Sequence, residues 1–345
     1  MAFTCNVANS GTYDVFIDGV KQATTTSGTA TEIQWSSLAL SSGYYVTYPA
    51  ALKTHVVRIT PTSSSDTLTK YTLTKHSGIT ASGAYYYGIL WCHFSLTNSI
   101  DLRFQLLSSY ANDGVRNLLA ETITATNDTI TTANELGGGL VNCTSLKTVP
   151  TFYCPSSSVL LTRYFEGCAK LKRVSLKGNF TPVGGVFKGC TDLEEIKIDG
   201  KLAPTNTYNL FDGCTSLKKL PALDNTSMGL ATDWIKNAVS LQDTVLDFSS
   251  ASSIVRLSIY GDATHFVGGI KGITVSSSAP FSNTTSPQIN VSYTGLDRVA
   301  LVNLFNSMPT VTDNQVIDVT GTTGADNLTE SDLAIATGKG WTVTR

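Results

Sequence analysis

Apolar positions between residues 140 and 241 recur as one short phrase: LVNCTSLKTV (140–149), FEGCAKLKRVSL (165–176), FKGCTDLEEIKI (187–198) and FDGCTSLKKLPAL (211–223). In the last three copies an aromatic stands ahead of Gly-Cys, an aliphatic follows the Cys by three residues, and another follows three further on. Cys143, Cys168, Cys190 and Cys214 lie 25, 22 and 24 residues apart, a period that belongs to solenoids. Each phrase predicts a turn running into a strand, with inward anchors such as Leu171, Val174 and Leu176, or Leu193, Ile196 and Ile198. Phe165, Phe187 and Phe211 close the other side of each coil, and the glycine after them permits a left-handed turn. A degenerate fifth copy places Ile235, Asn237, Ala238 and Leu241 at the aromatic, Gly, Cys and Leu positions; Asn visits the same backbone region as Gly. A sixth, Ile270, Ile273 and Val275, lacks the Cys.

The phrase resembles the BspA-like leucine-rich repeats of gut bacterial and phage-encoded proteins, over about residues 136 to 280. LDRVALVNLFNSMP (296–309) and LTESDLAIATGKGWTV (328–343) resemble the segment that closes many such proteins in gut bacteria and their phages. The resemblance implies a curved parallel solenoid with a binding role, and identifies no ligand.

The remainder completes a mainly β chain with short helices: an N-terminal β-sandwich-like domain, then a leucine-rich-repeat solenoid with a C-terminal α/β cap. Residues 1–78 carry short Thr, Tyr and Val-rich runs (12–17, 31–35, 44–48, 55–60, 70–75), with Asp18-Gly19 as a hairpin signal. They read as an attachment domain. Residues 79–135 read as a β-rich connection and N-terminal cap, with the aromatic run 84–91 as a capping strand and Leu102, Phe104 and Leu106 in alternation. Repeats occupy 136–292 and the C-terminal cap 293–345. In that cap Leu301, Leu304, Phe305 and Met308 have helical spacing up to Pro309, and Thr329 N-caps a helix through Ala336 that Gly338 and Gly340 end before a strand at 341–344. Trp341 reads as core.

The cysteines of the phrase read as structural, because equivalent positions on a parallel ladder form a row whereas a zinc site needs a tetrahedron. Neither metal nor cofactor is expected. Cys5, Cys92 and Cys154 lie outside the phrase, and a pairing among them is left open.

With 14% charged residues and a net charge of -2, the chain has no electrostatic footprint for nucleic acid, and no apolar run is long enough to insert in a membrane. Ser and Thr make up roughly a quarter of it, a composition of extracellular and virion β-proteins. The beginning, MAFTCNVANSGTYDVF, has no leader signature, which favours a virion protein over a bacterial cell-surface adhesin. A non-enzymatic role is expected. Asp192, Glu194, Glu195, Asp199, Asp212 and Asp224 are the carboxylates a polysaccharide depolymerase would draw on, but no two recur beside an aromatic platform.

Alternation places Arg173, Ser175, Glu195, Lys197 and Lys219 on the candidate concave face, with Arg173, Glu195 and Lys219 as a plus, minus, plus ladder. Segments 154–161, 181–185 and 204–208 read as loops that supply specificity. The expected partners are other virion proteins through the N-terminal domain, a host surface glycan or protein through the solenoid, and further copies of the chain in a homo-oligomer.

Overall fold

The computed structural model describes residues 2–5, 12–17, 19–26, 31–34, 57–61, 70–72, 91–94, 101–103, 122–132, 136–137, 140–282, 285–312 and 314–345. The chain forms two compact units, 1–85 with 96–115, and 86–95 with 116–345. The run 44–48 and most of the aromatic run 84–91 lie outside the described residues.

In the first unit the Asp-Gly signal produces its hairpin. Thr12–Ile17 pairs antiparallel with Val20–Thr26, and Gly19 takes a φ of 82° between them. Val57–Pro61 pairs on the other edge of Thr12–Ile17, Ala2–Cys5 pairs antiparallel with Thr31–Gln34, and Lys70–Thr72 pairs parallel with Asp101–Arg103.

The second unit is a parallel β-solenoid of about 8 turns. Its first wall is the sheet of Thr129–Thr131, Thr151–Thr162, Arg173–Val183 and Glu195–Leu202. Arg173 stands opposite Glu195 and Phe152 opposite Leu176, so each rung repeats after 22 to 24 residues. The two long strands bend as they pass from this wall to the next. Residues 155–158 bulge opposite Asn179, where the register jumps from Cys154↔Gly178 to Val159↔Phe180. At that bend Gly178 and Gly200 hold φ values of 102° and 136°, and a Cβ on Gly200 would lie 2.1 Å from the Gly178 carbonyl oxygen. No side chain fits there.

The second wall stacks Asn206–Tyr208, Leu230–Thr232, Arg256–Ser258, Ile289–Asn290, Val316–Asp318 and Thr342–Thr344 in parallel. Ala231, Leu257, Ile289 and Ile317 point inward along it.

The third wall is the repeated phrase itself. Asn142, Gly167, Gly189, Gly213 and Asn237 all hold left-handed φ values between 58° and 75°, so Asn substitutes for Gly as the sequence predicts. The N–H groups of Gly167, Gly189 and Gly213 donate to the carbonyls of Lys188, Asp212 and Lys236 in the following coil at 2.7 to 2.8 Å. Inside, Phe165, Phe187 and Phe211 stack with ring centres 5.6 Å apart and planes within 7°. Each thiol donates a hydrogen bond one coil back: Cys168 to Leu140 O, Cys190 to Phe165 O and Cys214 to Phe187 O, at 3.0 to 3.1 Å. Burial pushes all three thiols well above the ordinary value. Cys154 is also buried.

Two expectations need correction. The first wall stops at Glu195–Leu202 and resumes only with Thr244–Phe248 paired to Ile270–Val275, so the stretch 217–223 forms no strand. The Glu195 N–H donates back to Lys172 O, and alternate residues along a parallel strand repeat that direction. Pro221, two residues past the Lys219 that corresponds to Glu195, falls on such a position with no N–H to give. Ile198, expected as an inward anchor, is therefore half-buried while Leu193 and Ile196 are buried.

Helix α1 (Arg298–Ser307) and helix α2 (Glu330–Thr337) close the described chain. Asp297 caps α1, burying Leu301, Leu304 and Phe305; Thr329 and Asp332 form a capping box on α2. Lys339 Nζ donates to the carbonyls of Phe305, Asn306 and Met308, satisfying the end of α1. Trp341 is buried and its Nε1 donates to Pro309 O.

Candidate recognition surfaces

Parallel stacking brings charged side chains of like rank into columns. In the turn that leads into the first wall Lys170 meets Asp192 at 3.1 Å and Lys172 meets Glu194 at 3.8 Å, and on the wall Arg173 meets Glu195 at 3.6 Å and Lys177 meets Asp199 at 4.0 Å. A basic coil thus lies on an acidic one. Lys197 also approaches Glu195, at 3.9 Å along the same strand. Ser175 sits half-buried between Arg173 and Lys177, opposite Lys197. Lys219 is exposed at the break in the wall, off any strand, and no ion pair within 4.0 Å joins it to Glu195 among the described residues. The ladder therefore has two rungs rather than three. The cause is again the missing strand around Pro221.

Asp212 pairs with Lys188 at 4.0 Å and Asp224 with Lys201 at 3.1 Å. Each of the six carboxylates weighed for acid-base work thus faces a cation one coil back. Hydrogen bonds from Thr226 and Lys201 hold Asp224 below the ordinary range. Burial raises Asp212, with Lys188 and Lys236 opposing the rise. Among the described residues no group of three or more His, Cys, Asp or Glu could hold a metal.

A second charged column escaped the sequence reading. The residue between aromatic and glycine in successive phrases is Glu166, Lys188, Asp212 and Lys236, alternating in sign up the third wall. Arg163 pairs with Glu166 below, and the Lys236 ammonium lies 5.5 Å from the Tyr260 ring centre above. Tyr260 is pushed up to about 12, first by burial and then by its hydrogen bond to Asp233. The signal lay in the second letter of each phrase.

The segments read as loops are largely strand, with only 184–185 and 204–205 outside one. Residues 154–161 lie inside Thr151–Thr162, 181–183 end Arg173–Val183, and 206–208 are the first strand of the second wall. They do come together. Leu160 stands opposite Thr181 and Thr162 opposite Val183, and Asn206–Tyr208 packs against the same Arg173–Val183 strand. Ser158 Oγ and Thr181 Oγ1 share a hydrogen bond of 2.7 Å across the rungs. Leu160, Thr181, Asn206, Tyr208 and Leu230 carry no formal charge, in contrast to Arg173, Lys177, Glu195, Lys197 and Asp199 on the first wall; Arg256 stands opposite Leu230 on the next rung. The phrase residues Cys143, Cys168, Cys190, Cys214, Phe165, Phe187 and Phe211 all lie in the core.

Comparison with family models, curated proteins and solved structures finds no match to this chain.

Proposed function

We propose that this is a non-enzymatic recognition and structural protein of the BspA-like leucine-rich-repeat kind, carried on a phage particle as a fibre or decoration component. The observation that carries the reading is the stack of coils whose carboxylates are engaged by cations of the neighbouring coil. Charge there pins register and builds a rigid, exposed scaffold. Rigid scaffolds with long open faces suit binding, because little freedom is lost when a partner docks. The Ser and Thr-rich composition and the resemblance of 296–309 and 328–343 to the closing segment of gut bacterial and phage proteins support the particle as the place. In this reading the N-terminal domain contacts other virion proteins and the solenoid meets a host glycan or protein.

Mass spectrometry of purified gut phage particles and of outer membranes from the uninfected host tests it. Peptides confined to the particles are expected. Peptides on uninfected cells would replace the virion reading with a bacterial adhesin, and oligosaccharide release from capsule would replace it with a depolymerase.

A further inference from the structure

The far ends of Thr151–Thr162 and Arg173–Val183, with the first two rungs of the second wall, differ in chemistry from the rest of the first wall. The outward face of that remainder is built of ion pairs, whereas the rungs holding Leu160, Thr181, Val183, Asn206, Tyr208 and Leu230 expose hydroxyl, amide and apolar groups without a formal charge. Tyr208 is 51% exposed and Leu160 43% exposed, so an aromatic ring and an aliphatic side chain face solvent on this surface. Parallel rungs repeat about every 4.8 Å, which turns these residues into short columns of like chemistry. The Ser158 to Thr181 hydrogen bond holds two of the hydroxyls in place before any partner arrives.

We propose that this uncharged face docks a neutral polysaccharide, a ligand class that rests on the recognition reading above. Such a polymer offers C–H faces that pack on Tyr208 and Leu160, and a rim of hydroxyls that exchange hydrogen bonds with Thr181 and Asn206. The cations at its edges are Arg163, paired with Glu166, and Arg256, opposite Leu230, whose Nε donates to Pro287 O, so an anionic polymer meets only cations that already have partners.

Affinity electrophoresis tests this, with the full chain run through gels holding neutral glucan, galactan or mannan, or anionic polygalacturonate. At least one neutral polymer should retard the protein, equally at about 0.05 and about 0.5 M salt. Tyr208→Ala should weaken that retardation about tenfold or more, Tyr208→Phe should keep most of it, and Thr181→Lys should weaken it with an unchanged melting temperature. Arg173→Ala, in the ion-paired part of the first wall, should leave it intact. Retardation by polygalacturonate alone, loss of retardation in high salt, no retardation by any neutral polymer, or sedimentation showing a second copy of the chain over Tyr208 would each overturn the proposal. These outcomes are independent of where the protein resides: binding by a chain found only on uninfected cells would keep the face and sink the virion reading, and particles carrying a non-binding chain would do the reverse.

Discussion

The Cys190 thiol donates to the carbonyl oxygen of Phe165, 25 positions earlier and one coil back, at 3.1 Å. Cys168 and Cys214 repeat the contact, which explains a thiol at a site where volume alone would accept Ala. Ala238 in the fifth phrase shows that the position folds without it. Cys190→Ala should therefore destabilise the protein by about 1 to 2 kcal/mol, from lost burial and a lost hydrogen bond, without abolishing folding. Urea titration followed by circular dichroism reads the difference.

The same thiols set an alkaline limit. Their folded pKa values are raised by burial above the ordinary 9.0, so below that pH folded and unfolded thiols are equally protonated. Above it the unfolded thiols ionise first and stability falls as pH rises. The fall should be shallower in Cys190→Ala than in the parent. Iodoacetamide at pH 9 should label Cys168, Cys190 and Cys214 only after unfolding, as mapped by peptide mass spectrometry.

Glycines of the two corners should differ in their tolerance of substitution. Gly213→Asn is expected to change stability by no more than about 1 kcal/mol, because Asn142 and Asn237 already hold that conformation and a Cβ at Gly213 meets nothing nearer than 3.5 Å. Gly200→Ala is expected to destabilise by about 3 kcal/mol or more, because its Cβ would overlap the Gly178 carbonyl. Thermal melts of the two variants separate these outcomes.

Arg298 binds Asp332 through Nε and Nη2 at 2.8 and 2.9 Å, and Thr329 donates to the same carboxylate. The guanidinium and these hydrogen bonds hold Asp332 at about 2. A depressed folded pKa gives stability that is present above the unfolded value of 3.8 and is lost as pH falls through about 2. Asp332→Asn should lower stability at neutral pH and flatten the acid limb over that window, measured by hydrogen exchange of α2 amides.

Arg173→Ala should shift stability by under about 0.5 kcal/mol, since its pair with Glu195 is largely solvated, and the shift should shrink as salt rises. Denaturant midpoints at two ionic strengths check both statements.

Sequence spacing made the third wall readable almost to the residue, because the phrase encodes a turn whose left-handed corner admits only Gly or Asn without strain. The hairpin around Gly19 and both C-terminal helices were legible for the same reason: a local rule decided them. The second wall was not legible. Pro155, Gly184, Gly185 and Pro204 read as loop residues, yet stacked neighbours supply the hydrogen bonds that turn the flanking residues into strand. The break at Pro221 was missed because Leu217 and Leu220 keep the apolar spacing of the phrase, while the missing N–H matters only against an adjacent coil.

Pro221 interrupts one wall and leaves two intact: the Gly213 N–H still reaches Lys236 O, and Asn206–Tyr208 still pairs with Leu230–Thr232. Loads carried along the stack therefore pass this level mainly through the turn and the second wall, with single bonds from Asp224 N to Leu202 O and Gln242 N to Lys218 O in place of the ladder. The solenoid thus has a compliant joint at its fourth phrase, where pulling or twisting works against isolated hydrogen bonds instead of a strand ladder on one side.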